Sequence, residues 1–329
     1  MSRTISSLMT ALVLSAVATL TGVALAQDPA WPTKPVRIVV PSGPGSVSDA
    51  QARWLSARLM PLLGQAVIVD NHPGAGGNIG TTLGVHSAPD GYTLTIVHQG
   101  TMAFNPHLYS KLAFDPLTDF APITDLGVNP LLLAVAPTVP ATSVAELVKL
   151  AKAKPGELNF GSPGVGTPPH MASELFKRAA GIDVVHVPYN GGGPAMAALI
   201  AGVITFSIEG TATQVPQALA GRVRPLAITG PKRLALLPDV PTMAEAGYPN
   251  AEYLAWTGIA APAKTPKRIV ERVYGEISKV LASDEAREWF GAAGADPRAD
   301  PPDVFAAMIR ADYAKWGKII REAGIRIDQ

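Results

Sequence analysis

Four glycine-rich segments place the strongest limit on what this chain can fold into: PSGPGSVSD (41–49), HPGAGGNIGT (72–81), GSPGVGTPPH (161–170) and PYNGGGPA (188–195). Each follows a short apolar run and precedes a helix-like stretch. The runs at 36–40, 66–70 and 92–97 read as buried strands, and the third ends in HQGT (98–101). After the first loop the spacing predicts a helix from Ser48 or Asp49, with Ala52, Leu55, Leu59 and Leu62 on its buried face. Strand, glycine loop and helix in repeated alternation is the pattern of an α/β sheet. Such sheets bind ligands outside the carboxyl ends of their strands.

The pattern changes near residue 120. A strong strand is expected at 131–136, and Ser143-Val144-Ala145-Glu146 is a capping box that opens a helix stopping at Pro155-Gly156. Further strands are expected at 158–161, 184–187, 204–208 and 225–229, and the fourth of the chain's glycine loops leads into a helix with Pro194 in its first turn. Residues 254–260 read as a strand crossing back towards the first half. Helices follow from Thr265-Pro266 to about Ala282 and from Ser283 to Gly294. A last helix presents Phe305, Met308, Ile309, Trp316, Ile319 and Ile320, and Gly324 ends it.

Composition removes several function classes. Lys+Arg number 27 and Asp+Glu 26 in 329 residues, and the charged share is 16%, below the roughly 25% usual in soluble domains. That balance argues against a nucleic-acid partner. With no cysteine there is no disulfide, thiolate metal site or cysteine nucleophile. Residues 1–26 carry Arg3, an apolar stretch and Ala24-Leu25-Ala26, the pattern of a secretory signal cleaved near Ala26. A membrane anchor is the competing reading of that stretch. The expected location is the periplasm, free of the membrane.

Backbone N–H groups at helix starts, with the positive end of the helix dipole, form a ready anion site. None of the four loops contains Arg or Lys. An anion there would be held by amides and hydroxyls, which favours a small carboxylate over a polyphosphate. Tight αβ turns alone would also account for the Gly and Pro. Nucleotide motifs fail on spacing: Gly74 and Gly76 are followed by Ile79 where a third glycine is needed, and there is no GK[ST]. Neither G-x-S-x-G nor H-E-x-x-H occurs. No catalytic residue, metal or cofactor is expected. Asp49 reads either as a helix-start residue or as the residue that orients the first loop around a ligand. His170 reads as a ligand contact or as a loop residue. Glu209 could receive a ligand amine or hydroxyl, or cap a helix. Tyr189 and Trp256 could line a cleft or belong to a core.

These residues resemble the Bug family, the extracytoplasmic solute receptors of tripartite tricarboxylate transporters. The likeness runs through WPTKPVRIVVPSGPGSVSD (31–49), VDNHPGAGGNIGT (69–81), NFGSPGVGTPPHMASELF (159–176), HVPYNGGGPAM (186–196), LPDVPTMAEAG (237–247) and AKWGKIIREAGI (314–325). It implies an α/β, two-lobed periplasmic-binding-protein fold of Venus-flytrap, type II-like form, with a mixed sheet in each lobe. Residues 27–126 plus 254–329 would form the first lobe and 127–253 the second, with the ligand cleft between them. It further implies contacts from Ser42, Gly43, Gly45, Ser46, Gln99, Gly100 and Thr101 in the first lobe. The second would contribute Ser162, Gly164, Thr167, His170, Tyr189, Gly191 and Glu209. The ligand would be a small organic acid or amino acid, and membrane permease subunits the protein partners of a monomer. A ligand-sensing subunit is the alternative, with a periplasmic hydrolase behind it. Ser46-Val47-Ser48, Asn190 and Glu209 depart from the family's commoner residues, so its ligands do not transfer directly.

Overall fold

The structure, a computed structural model, describes residues 31–323 and side chains as far as Arg321. The expected signal segment, its cleavage point and the stop at Gly324 lie outside the described residues. The described residues from 34 onward form one compact unit, to which everything below refers.

Three apolar runs make the first parallel strands: β1 (Val36–Val40), β2 (Val67–Asn71) and β3 (Thr93–His98). β1 lies between the other two, with Val36 opposite Val67 and Arg37 opposite Thr93. β3 continues antiparallel onto β9 (Leu254–Pro262), which is antiparallel to β4 (Phe120–Val135). The strand expected at 131–136 is therefore the end of a much longer one. Its first part contains Pro122, Gly127 and Pro130, and register shifts there obscure any alternation in the sequence.

β4 changes partners at Pro130/Leu131. Residues 120–130 pair with β9, and residues 131–135 with β7 (Phe206–Gly210) and β8 (Arg224–Ile228). β7 then runs parallel to β5 (Asn159–Ser162), which is parallel to β6 (Val185–Pro188). The short β10 (Asp296–Pro297) completes the sheet against Gly127 and Val128. The strand order is β2-β1-β3-β9-β4-β7-β5-β6, so β4, paired with β9 through its first part and with β7 and β8 through its end, is the strand shared by the two mixed halves.

Helices follow the glycine loops as their capping chemistry requires. α1 (Val47–Leu63) starts at Ser46, whose hydroxyl accepts from the Asp49 amide, and ends at Gly64 in the left-handed region. Ala52, Leu55 and Leu59 are buried as expected, but Leu62 is 40% exposed and Leu63 takes its place inside. α2 (Asn78–Val85) follows β2, a π turn (Gly100–Phe104) and α3 (Asn105–Leu108) follow β3, and α4 (Val144–Ala153) begins at the capping box. There Glu146 reaches back to the amide of Thr142, one residue before the cap.

In the second half α5 (Pro168–Ala180), α6 (Gly192–Ile200) and α7 (Thr211–Leu219) follow β5, β6 and β7. α8 (Lys267–Leu281), α9 (Asp284–Ala292) and α10 (Pro302–Ala323) close the chain. The largest core cluster joins Leu131, Phe160, Phe176 and Phe206 to Phe104, Trp316 and Ile320, so the C-terminal helix packs on both halves. Phe104 and Trp316 meet edge-on at 4.6 Å.

Candidate functional site

Two chambers open where the ends of β1 and β3 face the ends of β5, β6 and β7. They share Ser42, Ser46, His98, Pro163, Thr167 and Gly192. The first, about 100 Å³, is otherwise walled by Val47, Leu131, Pro168, Pro169, Ala255 and Trp256, with Glu209 and Asn129 among its polar groups. The second, about 300 Å³, is lined by backbone of the glycine loops, including Gly43, Gly74, Gly76, Gly164 and Gly191, and by Tyr189. None of the described residues on either wall is Lys or Arg.

The shared wall is the start of α1. Ser42 and Ser46 hydroxyls lie 2.7 Å apart. The amides of Val47 and Ser48, the first two of the helix, have no intrahelical partner and sit at the positive end of its dipole. Asp49 is turned away from the chambers. Its carboxylate accepts from the Gly45 amide at 2.9 Å, from Asn71 at 3.0 Å and from Arg53 at 2.9 Å. Burial opposes its ionisation, but these bonds and the Arg53 charge hold its pKa below the ordinary value. Asp49 thus lies in the first turn of α1 and ties Gly45 of the first loop to that turn.

His98 ends β3 and lines both chambers. Burial pushes its pKa down to about 4, so it is neutral at pH 7. Its Nδ1 accepts from the Thr101 amide at 3.4 Å, which leaves the proton on Nε2. Opposite it stands Glu209, at the end of β7. One oxygen accepts from the Gly210 amide at 2.8 Å, while Oε2 lies beside Gly192 on the chamber wall. Burial raises its pKa to about 7, with only the Gly210 bond working the other way.

Several expected contacts are placed elsewhere, each for a local reason. Gln99 is held by Asp312 at 2.6 Å and by the Tyr253 hydroxyl, and it lines a separate cavity beside α10. Gly100 and Thr101 lie in the buried π turn under His98, with the Thr101 hydroxyl bonded to the His98 carbonyl. Ser162 is engaged by His186 at 2.7 Å and by the Gly164 amide. His170, in the first turn of α5, accepts from the Gly166 amide at 3.3 Å and stacks on His186 at 4.2 Å, off both walls. Gly45 turns at φ 80° to offer its amide to Asp49. Ser42, Gly43, Ser46, Gly164, Thr167, Tyr189, Gly191 and Glu209 do come to the chambers. Trp256 borders the first chamber, while its ring packs on Phe305 and its indole N–H donates to Asp312.

His98, Asn129, Thr213 and Thr257 are on the first chamber's wall without having been singled out. Asn129 did carry a signal: it is a polar residue next to the Pro130 that ends β4's pairing with β9. Among the described residues no group of three or more His, Cys, Asp or Glu could hold a metal.

The two halves touch across this site. Tyr109 donates to the Val165 carbonyl at 3.5 Å. Gly76, at φ 64°, lies so close that a Cβ there would stand 2.3 Å from the same carbonyl oxygen. A Cβ on Gly166, at φ 77°, would stand 2.0 Å from Asn105 Oδ1.

Residues 51–325 match the model of the tripartite tricarboxylate transporter family receptor. The chain belongs to that family. It is 35% identical over 298 residues to Protein BugT of Bordetella pertussis, covering 90% of this chain and 91% of that protein. A Rhodopseudomonas palustris protein solved with adipate has a TM-score of 0.87 at 36% identity, covering 90% of this chain and 100% of that one. MatC from Rhodopseudomonas palustris, solved with bound malate, has a TM-score of 0.83 at 32% identity, covering 88% and 100%. This tripartite tricarboxylate transporter receptor thus has the α/β mixed-sheet fold of the periplasmic binding proteins and acts as a solute receptor.

Proposed function

We propose that this receptor captures a small carboxylate in the periplasm and delivers it to the membrane subunits of a tripartite tricarboxylate transporter. The carrying observation is the shared wall at the start of α1, where hydroxyls and helix-start amides converge and no Lys or Arg among the described residues lines the chambers. A carboxylate fits amides and a helix dipole without an ion pair. The ligands printed for two solved relatives, adipate and malate, are carboxylates. Ser42, Gly43, Ser46, Thr167, Tyr189, Gly191 and Glu209 are the contacts of this reading, joined by His98. Gly164 supports its loop, and Asp49, Ser162 and His170 hold loops from behind.

The lobes of this reading divide at residues 126/127, a few residues before β4 changes partners at 130/131, and again at the start of β9 at Leu254. Ligand bridging the lobes shifts an open–closed equilibrium, and the closed form docks on the permease. The reading includes a monomer without enzymatic activity and a signal segment removed near Ala26. Among the described residues no helix is long and apolar enough to cross a membrane.

A thermal-shift screen of the purified receptor against mono-, di- and tricarboxylates, amino acids and neutral amides tests the reading. Binding to the native state alone adds about 2.7 kcal/mol at a hundredfold excess over Kd. A saturable shift with carboxylates, and an unchanged ligand by NMR, is expected. A response to amides alone, or turnover, would remove the proposal. Mass spectrometry of the secreted chain checks the cleavage point.

A further inference from the structure

Side-chain hydrogen-bond donors are scarce where the two chambers meet. Among the described residues four polar side chains border both chambers, those of Ser42, Ser46, Thr167 and His98. The Ser42 and Ser46 hydroxyls lie 2.7 Å apart, so one of their two hydrogens is spent on the other oxygen. The Thr167 hydroxyl donates to the Gly164 carbonyl at 2.7 Å. His98 differs from these. Its ring Nε2 carries a proton and has no hydrogen-bond partner among the described residues. That atom also keeps some exposed surface, on a residue only 6% exposed, so its N–H opens onto the chambers that His98 lines.

Two close glycines fix where that N–H stands. A Cβ on Gly77 would lie 2.8 Å from Nε2 and 3.2 Å from the Pro41 carbonyl oxygen, so Nε2 sits beside the residue that leads into Ser42 and the first glycine loop. A Cβ on Gly100 would lie 2.8 Å from both Cε1 and Nδ1, so a side chain there would close the slot that the ring fills. Nδ1 is held by the Thr101 amide at 3.4 Å, and the His98 amide donates to the Thr101 hydroxyl oxygen at 3.5 Å. Turning the ring over would break the bond to Nδ1, so Nε2–H is a preset donor.

Burial keeps the imidazole uncharged at pH 7, with its pKa pushed down to about 4. Nε2–H is then a donor with no lone pair of its own. A half-enclosed donor without an acceptor costs free energy, and a ligand oxygen removes that cost. A carboxylate oxygen is an acceptor that also suits the Val47 and Ser48 amides at the start of α1. We infer that His98 recognises the anionic end of the ligand: its Nε2–H donates to a ligand carboxylate oxygen lying at the junction of the chambers, against the first glycine loop. The inference rests on the carboxylate reading above and deepens it. It assigns to one fixed ring N–H the recognition that Lys or Arg would supply in a site with a cation.

The test is calorimetric titration of the purified receptor, freed of carried-over ligand by reversible unfolding, with butanoate, succinate, malate, adipate and citrate at pH 7. The tightest binder of the five is then titrated into three variants. His98→Gln puts an amide N–H near the position of Nε2 and takes the acceptor away from the Thr101 amide. His98→Asn keeps an oxygen near the position of Nδ1 and has no donor at Nε2. His98→Met fills the slot with neither. His98→Met and His98→Asn should bind at least tenfold more weakly than the unaltered receptor, and His98→Gln at least fivefold more tightly than either. Circular dichroism checks that each variant is folded, and if His98→Met is not, the contrast between His98→Gln and His98→Asn decides alone. Equal affinity in those two, or tighter binding by His98→Asn, shows that His98 acts only through its bond to Thr101. That result overturns the donor role and leaves the carboxylate reading standing. Absence of binding by all five acids in the unaltered receptor removes the carboxylate reading together with the inference.

Discussion

Four buried or half-buried ionisable side chains around the candidate site make this protein's stability depend on pH in a way that each residue's shift dictates. Burial pushes His98 and His186 down to about 4 and His170, which also feels His186, to about 3. In the unfolded chain each binds its proton near 6.5. Between about pH 4 and 6.5 the unfolded state therefore holds more protons than the folded one, and the histidine contribution rises with pH. Glu209 acts in the opposite sense. Its folded pKa near 7 lies above the ordinary 4.5, so from 4.5 to 7 the folded state keeps a proton the unfolded state has lost. Three protons outweigh one, each worth about 1.4 kcal/mol per pH unit at most. Stability should rise from pH 4.5 to about 7 and level off above it. Urea midpoints across this range check it: Glu209→Gln should steepen the rise, and an unaltered profile would contradict a protonated Glu209. A second prediction belongs to Asp49. Asp49→Ala removes its bonds to Gly45, Asn71 and Arg53 and should cost about 2 kcal/mol. Melting temperature reads that loss, and ligand affinity should fall with it because the first loop is no longer held.

At the scale of elements, the glycine loops do more than turn the chain. The loop from Pro163 to Thr167 lies on the loop at Gly74 to Gly77 and on α3, and two glycines permit the approach. Gly76→Ala would put a methyl group 2.3 Å from the Val165 carbonyl oxygen and hold an L-residue at φ 64°. The backbone strain costs roughly 1–2 kcal/mol. The clash acts only when the halves touch, so ligand affinity should fall at least tenfold while the fold survives. Calorimetry with circular dichroism separates the two effects; full affinity in a folded variant would show that this contact is not part of the bound state. The helices are where sequence reasoning performed well. Ser46, Ser143 and Ser283 cap α1, α4 and α9 through the next-but-two amide, as short polar residues before apolar periodicity should. It failed where two effects met: Pro61 lies inside α1, and the last turn buries Leu63 instead of Leu62.

For the whole molecule, among the described strands β4 is the one that pairs in both halves of the sheet, beside a core cluster that α10 shares between them. A ligand seated between Ser46 and Glu209 bridges groups carried by opposite halves. Small-angle scattering should therefore show a smaller radius of gyration with saturating ligand than without. Gly76→Ala should abolish the difference. The same ligand should raise the melting temperature of the unaltered receptor by several degrees, since a 2.7 kcal/mol gain shifts a protein of this size by roughly 2–4 °C per kcal/mol. A ligand that stabilises without compaction would point to binding on one half alone.

The order of strands and helices was written in the sequence, because apolar runs, caps and glycine loops are local signals that act within a few residues. So were the four loops that reach the chambers or support them, and the absence of Lys and Arg from them. What lines the chambers was decided by tertiary structure. Gln99 turns to Asp312 and Tyr253, and His170 stacks against His186, because partners distant in the chain satisfy their polar atoms better than the cleft does. His98 faces the site because Thr101 fixes its ring, and Asn129 and Thr257 arrive there on crossing strands whose pairing joins residues more than a hundred positions apart. Burial, which no single position in a sequence specifies, is what pushes Glu209 up to about 7 and makes it an acid of a kind the sequence alone does not distinguish from any other glutamate.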